Sequence, residues 1–405
     1  MRKNFTGTGY LSFILIILIS AAGCKKNSRH AMPIVPGNGD TAENTVLTDN
    51  DFYSLTGAAD SSSKEGEILL ALNSTTDGKL FILDQRGSIK KEKSVGVHAE
   101  NFQKWLIGGQ TRYTYFHTDG DYLLDSISGT ELGYEEICDS ALNILSTVKL
   151  LSNAEVDANV QNKLDTHEFI LLGDNHYIYD TYYEETPDNI PNSLHPAPGV
   201  KVLACIIQEV NNGQVVFQWN GAKYPEFYAA SEENNDFADS SAAHDYMHLN
   251  SICIDSTDQN LIVSFRNLDE IVKLNRQTGD IIWRLGGDRS DYPQTPDELF
   301  LRQHFPRLIE NGQTLIFVDN GLENVRPYSR ILEFQLDQHA RTIKGFHEFQ
   351  VPDQFIQFAG SVTKEGDNYF IGGGSGNYAL EVKYTNSEPL LRINQKYPSY
   401  RAMKY

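Results

Sequence analysis

A repeat of fixed length is the feature that most narrows the folds open to this chain. His248 and His304 stand 56 residues apart, and a further 56 residues reach Gly360. Each position opens a short apolar run that then meets a polar turn: Asp258-Gln259-Asn260, Asn311-Gly312 and Gly366-Asp367-Asn368. The units also close alike, since NNGQVVFQW and QTGDIIWRL set Trp219 and Trp283 in matching final runs. A unit of this length cannot bury an apolar face alone and must stack on copies of itself. Stretches such as EILLALN, KLFILDQRG and SICIDSTDQNLIVSF alternate apolar and polar residues with the period of strands. No amphipathic helical stretch of comparable length interrupts them. The repeat therefore predicts an all-β fold, a β-propeller of about six four-stranded blades over residues 67–405.

The chain before residue 67 reads differently. MRKNF, the apolar run from Leu11 to Ile19 and then Ser20-Ala21-Ala22-Gly23-Cys24 have the basic start, short apolar core and small exit residues of a secretory leader. The core is too short to span a bilayer, which takes about 20 apolar residues. Cysteine directly after Ala-Gly resembles a bacterial lipoprotein signal, which implies cleavage before Cys24 and acylation of that residue. Plain secretion with an incidental Cys24 is the alternative. Residues 1–23 are thus expected to be a lipoprotein signal peptide, and 24–66, rich in Ser, Asn, Asp, Gly and Pro, a flexible tether. The protein would then be a cell-envelope lipoprotein, held at the periplasmic face of the outer membrane or at the cell surface.

The formal charge of −20 becomes −22 once Arg2 and Lys3 leave with the leader, and so acidic a body is a poor partner for nucleic acid. Cys138, Cys205 and Cys253 are odd in number and widely spaced, which predicts buried thiols rather than a disulfide framework. Neither C-x-x-C nor H-E-x-x-H spacing occurs, so neither a resident metal nor another cofactor is expected.

In a propeller the starts of the innermost strands meet at one mouth of a central channel. His167 in LDTHEFILL, His248 in HDYMHLNSI and His304 in LRQHFPRL would converge there. Histidines in a strand repeat can equally be structural, hydrogen-bonding within a blade. Arg266 shifts the balance, because it ends the second strand of the His248 unit, where a guanidinium turned into the channel would be costly without an anion to meet.

HDYMHLNSICIDSTDQNLIVSFRNLDEIVKLNRQTGDIIWRLGG resembles the signature region of the bacterial arylsulfotransferases. The matching pieces are His248-Leu249-Asn250, Ser264-Phe265-Arg266 and the Trp-Arg-Leu-Gly-Gly of 283–287. Arg302-Gln303-His304 with the following FVDNG and Asp165-Thr166-His167 match further blocks, so the resemblance spans about residues 160–380. It implies an enzyme that moves a sulfuryl group from a phenolic sulfate ester to a phenolic acceptor without a nucleotide donor or cofactor. His304 would be the nucleophile and form a sulfohistidine, while His248 and His167 exchange the phenolic proton. Arg266 and Asn250 would bind the sulfuryl oxygens, since a tetrahedral monoanion needs fixed positive charge and aimed donors. The implied partners are small aryl sulfates and phenols, with the membrane met only through the lipid. Unlike members with a separate amino-terminal β-domain that helps dimerisation, this chain has little before the first blade, which leaves the oligomeric state open.

Two other readings compete: a lipid-anchored propeller that binds an anionic or carbohydrate ligand without turnover, and an aryl sulfate hydrolase. Product analysis with and without added phenol separates these from a transferase. No Cys/Ser-x-Pro-x-Arg stretch of the metal-dependent sulfatases is present, which lowers the hydrolase reading. Long insertions at 182–199 and 220–246 read as loops. Tyr224, Phe227, Tyr228, Phe237 and Tyr246 could sandwich an aromatic acceptor or fasten the loop down, and Glu232, Glu233, Asp236 and Asp239 are expected to face solvent. If the anchor reading holds, Cys24→Ala yields a soluble, active protein on membrane fractionation, and a variant still sedimenting with membranes means another anchor exists.

Overall fold

The computed structural model describes residues 46–57, 65–74, 77–96, 98–125, 130–352 and 355–405. The expected leader, Cys24 and the tether up to residue 45 lie outside the described residues.

Six antiparallel sheets follow one another as the blades of a propeller. Blade two is built outward from Ala99–Ile107 through Gln110–Asp125 to Thr130–Cys138, on which both Ile144–Val148 and Leu164–Asp165 pair. Blade three runs Phe169–Gly173, His176–Glu185, Lys201–Asn211 and Gln214–Asn220. Blade four runs Leu249–Ile254, Leu261–Phe265, Glu270–Leu274 and Ile281–Gly286, and blade five His304–Ile309, Thr314–Asp319, Arg330–Asp337 and Thr342–Gln350. The predicted turns fall between the first and second strands of blades four, five and six, and Trp219 and Trp283 both sit in fourth strands.

The ring is locked at one seam by both ends of the described chain. Ala402–Lys404 supplies the innermost strand of blade one, pairing antiparallel with Glu67–Asn73, which Gly78–Asp84 and Ile89–Ser94 follow. Blade six, Ser361–Glu365, Asn368–Gly372, Tyr378–Lys383 and Glu388–Gln395, is extended outward by Tyr53–Thr56 and Val46–Asp49. Residues 46–56 therefore belong to the propeller and not to a tether reaching residue 66. Strands of four residues show too little alternation to stand out in the sequence, and it is the edge of Glu388–Gln395 that orders them.

Middle strands such as Leu261–Phe265 and Glu270–Leu274 are buried along their whole length, because each of their faces meets a neighbouring blade. The outermost strand Thr342–Gln350 is largely exposed. The core is accordingly a ring of interblade seams. Ile262, Trp283 and Leu285 of blade four meet Phe317, Leu332 and Phe334 of blade five, and Leu391 and Ile393 of blade six meet Leu70 and Phe81 of blade one. Cys138, Cys205 and Cys253 are buried free thiols, as their spacing predicted.

At the closing seam there is no room for a side chain on Gly372. A Cβ there would lie 2.6 Å from the Ala402 nitrogen and 2.4 Å from Ser361 Oγ. Gly372→Ala should lower unfolding stability by about 1–3 kcal/mol through overpacking of the closing strand, read by urea denaturation, and an unchanged midpoint would show that the seam yields freely.

Candidate active site

His167 precedes Phe169–Gly173, His248 precedes Leu249–Ile254, and His304 begins His304–Ile309, so the three stand at the same end of successive innermost strands. Local irregularity aims them. His248 itself takes a left-handed backbone (φ 52°), as does Phe305 after His304 (φ 57°), and the pairing slips between Leu249 and Ser251 and between His304 and Arg307. Such bulges at a strand's start turn a side chain off the sheet plane.

The three imidazoles do converge. The His167 ring centroid lies 4.9 Å from that of His248 and 6.3 Å from that of His304. Tyr400, which leads into the closing strand, completes the group at 5.6 Å from His167 and 5.4 Å from His304. Exposures of 3, 6 and 3 % for His167, His248 and His304 place all three imidazoles in the interior of the channel.

Partners settle the tautomers. His304 Nδ1 lies 2.7 Å from the Gly360 carbonyl oxygen, which can only accept, so Nδ1 carries the proton and Nε2 keeps its lone pair. Tyr400 Oη donates to that Nε2 at 3.1 Å. His248 Nδ1 lies 2.6 Å from Asp245 Oδ2, and His167 Nδ1 contacts Asp165 Oδ1. In both, the carboxylate holds the proton on Nδ1 and leaves Nε2 to face the cluster. Gly360 has φ 100° and no side chain, and a Cβ there would lie 3.1 Å from the Gly372 carbonyl oxygen.

Electrostatics favour a neutral imidazole at His304. Burial first, then the Arg401 guanidinium and His167, hold His304 well below the ordinary imidazole value. Burial also lowers His248, against the opposing pull of Asp245, and burial pushes the Tyr400 phenol well above its usual value. Beneath the cluster Arg401, fully buried, bonds Asn101 Oδ1 (3.1 Å), Glu168 Oε1 (3.2 Å) and the Asn250 carbonyl (3.1 Å). Arg307 reaches Glu168 Oε2 at 2.8 Å. Burial alone would raise the Glu168 carboxyl, but Arg307 and Arg401 outweigh it and keep the group ionised.

Two predicted binding residues are placed otherwise than the sequence suggested. The Arg266 backbone is tied to His248, its N–H bonding the His248 carbonyl at 2.8 Å. Its guanidinium, however, meets Glu233 Oε2 at 2.6 Å and Asn267 Oδ1 at 2.7 Å. Glu233 is shared with Arg302 (2.8 Å), so this carboxylate is an internal ion-pair partner and not the solvent-facing acid expected of it. Asn250 Nδ2 donates to the Gln303 carbonyl at 2.7 Å, which anchors the residue before His304 and is not aimed at an anion. The loop aromatics fasten: Tyr228 stacks on Tyr246 at 4.4 Å, Trp219 on Tyr224 at 5.3 Å, and Phe227 and Phe237 are fully buried.

Tyr400, Arg401, Glu168, Arg307 and Asp245 were missed. For Asp245 a signal existed, since Asp245-x-x-His248 parallels Asp165-x-His167. Asp165, His167 and Asp180 also bring three ligating atoms within 4.8 Å of one another, a grouping no spacing motif announced. Burial first and then Asp165 push the Asp180 carboxyl well above its usual range.

The depressed imidazoles give a signed pH dependence. Below the ordinary value of about 6.5 the unfolded chain binds protons that folded His304 and His248 do not, so these two groups contribute a loss of stability as pH falls through that window, while raised carboxyls such as Asp180 contribute with the opposite sign. Urea denaturation between about pH 7 and 5 should show His304→Gln losing less stability than the parent protein as pH falls; identical slopes for the two would mean that His304 titrates normally.

No curated protein matches. Among solved structures, a protein of unknown function from Bacteroides caccae shares 9% identity at a TM-score of 0.49, covering 84% of this chain and 99% of that one. The β-propeller domain of Cps50 (Swd1) from Myceliophteria thermophila shares 8% at 0.41, covering 85% and 83%. The family model described as Arylsulfotransferase (ASST) matches residues 55–402, nearly the whole propeller up to the first residue of the closing strand. The chain belongs to the arylsulfotransferase family.

Proposed function

We propose that this propeller transfers a sulfuryl group from an aryl sulfate to a phenol by two displacements at His304. The observation that carries the reading is the state of that imidazole: neutral, fixed through Nδ1 to the Gly360 carbonyl, with the Nε2 lone pair already facing a phenol hydroxyl, that of Tyr400.

In the first displacement Nε2 attacks sulfur, an N–S bond forms and the aryl S–O bond breaks. The departing phenolate takes a proton from Nε2 of a neighbouring imidazolium. His167 is the better placed carrier, beside both other histidines, and Asp165 behind it stabilises the cationic form. The sulfohistidine keeps its Nδ1 proton on Gly360 and is an imidazolium sulfonate without net charge, so it remains a good leaving group. In the second displacement the acceptor phenol returns its proton to His167 and attacks sulfur, and neutral His304 is restored. Arg401 lies beneath the site as fixed positive charge. Arg266 joins it when the Glu233 carboxylate gives way to the donor's sulfuryl oxygens, because both anions present oxygens to the same fork. Tyr400 must swing off Nε2 for sulfur to enter. With Cys24 as the acylation site, the reaction would take place at an envelope membrane.

Mixing enzyme with 4-nitrophenyl sulfate in the absence of acceptor should release one nitrophenol per site as a burst and leave an acid-labile sulfuryl group on the peptide bearing His304. His304→Ala should abolish both and cut turnover with added phenol by about three orders of magnitude or more. As His304 is buried and hydrogen-bonded, the same change costs about 1–3 kcal/mol of stability, so rates are compared per folded molecule. A His304→Ala protein with near-normal transfer would end the double-displacement scheme.

A further inference from the structure

The opposite end of the central channel is a second cavity, of about 520 Å³, and nothing in the transfer reaction uses it. It is separated from the histidines by the layer of Phe305, Arg401, Arg307 and Glu168, in which both guanidiniums lie over the Phe305 ring, at 3.6 Å for Arg307 and 4.6 Å for Arg401. The walls come from the later residues of the innermost strands and are apolar, including Trp105, Ile252, Ile254, Ile309 and Met403. Volume and lining are those of a pocket for a small organic molecule.

The charge of the lining narrows the class. Lys104, Arg307 and Lys364 line the cavity, against Glu168 as its sole acid, although the chain as a whole carries −20. The Glu168 carboxylate is already taken by Arg307 and Arg401. Lys104 and Lys364 are held by Glu67 (2.7 Å) and Glu333 (2.7 Å), neither of which lines the cavity. Because the carboxylate partners of both lysines lie outside the lining, the charged groups that border this apolar, aromatic-walled recess are chiefly basic. We infer that this far mouth binds an aromatic monoanion, its ring against Trp105 and the isoleucines and its anionic group toward Lys104, Lys364 and Arg307. The site is distinct from the histidine cluster and does not depend on the transfer reaction.

The test uses 8-anilinonaphthalene-1-sulfonate, an aromatic monoanion whose C–S bond cannot be transferred, followed by its own fluorescence on the folded, full-length protein. One saturable site is expected. Lys104→Gln with Lys364→Gln should weaken binding at least about tenfold, and uncharged N-phenyl-1-naphthylamine should bind weakly. Ile309→Trp should remove binding by filling the recess, and if that variant does not fold, the lysine pair still decides. His304→Ala should leave the affinity unchanged. Absence of saturable binding, indifference to the lysine changes, equal binding of the uncharged probe, or loss of binding with His304→Ala would each overturn the inference.

Discussion

Pairing of the last strand with the first blade is the constraint on which everything at the axis depends. Ala402–Lys404 against Glu67–Asn73 converts a stack of sheets into a closed ring, and it also covers an innermost edge that would otherwise present unpaired backbone groups. The entropy of bringing such distant segments together grows only slowly with the length between them, while closure buries two interblade faces at once. The residues just before that strand, Tyr400 and Arg401, reach the channel only because the ring is closed. Small side chains keep the seam tight, with Ser361 Oγ bonding the Ala402 carbonyl at 2.6 Å beside Gly372.

Arg401 links closure to chemistry. Its buried guanidinium needs an anion, and Glu168, itself buried, needs more than one cation, so Arg401 and Arg307 clamp it from two sides. Such a cluster is worth little as stabilisation, because desolvation offsets most of the attraction, yet losing one member would leave a charge stranded. What it does supply is position and field. Glu168 follows His167, Phe305 follows His304, and the positive charge of Arg401 helps keep the His304 imidazole neutral. The result is a neutral imidazole whose Nε2 lone pair accepts from the Tyr400 hydroxyl.

The long insertion at 220–246 plays a comparable part at the rim. Its aromatic residues pack into the seam between blades three and four, and that packing delivers Glu233 to Arg266 and Arg302. An acidic loop thereby becomes a counter-ion to the basic groups beside His248.

The all-β class, the blade count, the turn positions and the convergence of His167, His248 and His304 were legible in the sequence, because a 56-residue repeat and period-two alternation are local properties that any propeller must display. The backing of His167 by Asp165 was within reach for the same reason, being two residues away. What the sequence left undetermined is what depends on distant segments meeting. Residues 46–56 are strands only because blade six offers an edge, and Tyr400 contacts His304 only because the last strand returns to the first blade. The direction in which Arg266 points was decided by Glu233, 33 residues away on a loop, and no spacing rule encodes that choice. Periodicity follows from each residue's immediate neighbours, whereas a buried charge selects its partner by desolvation, and which partners lie within reach is set by the closed ring alone.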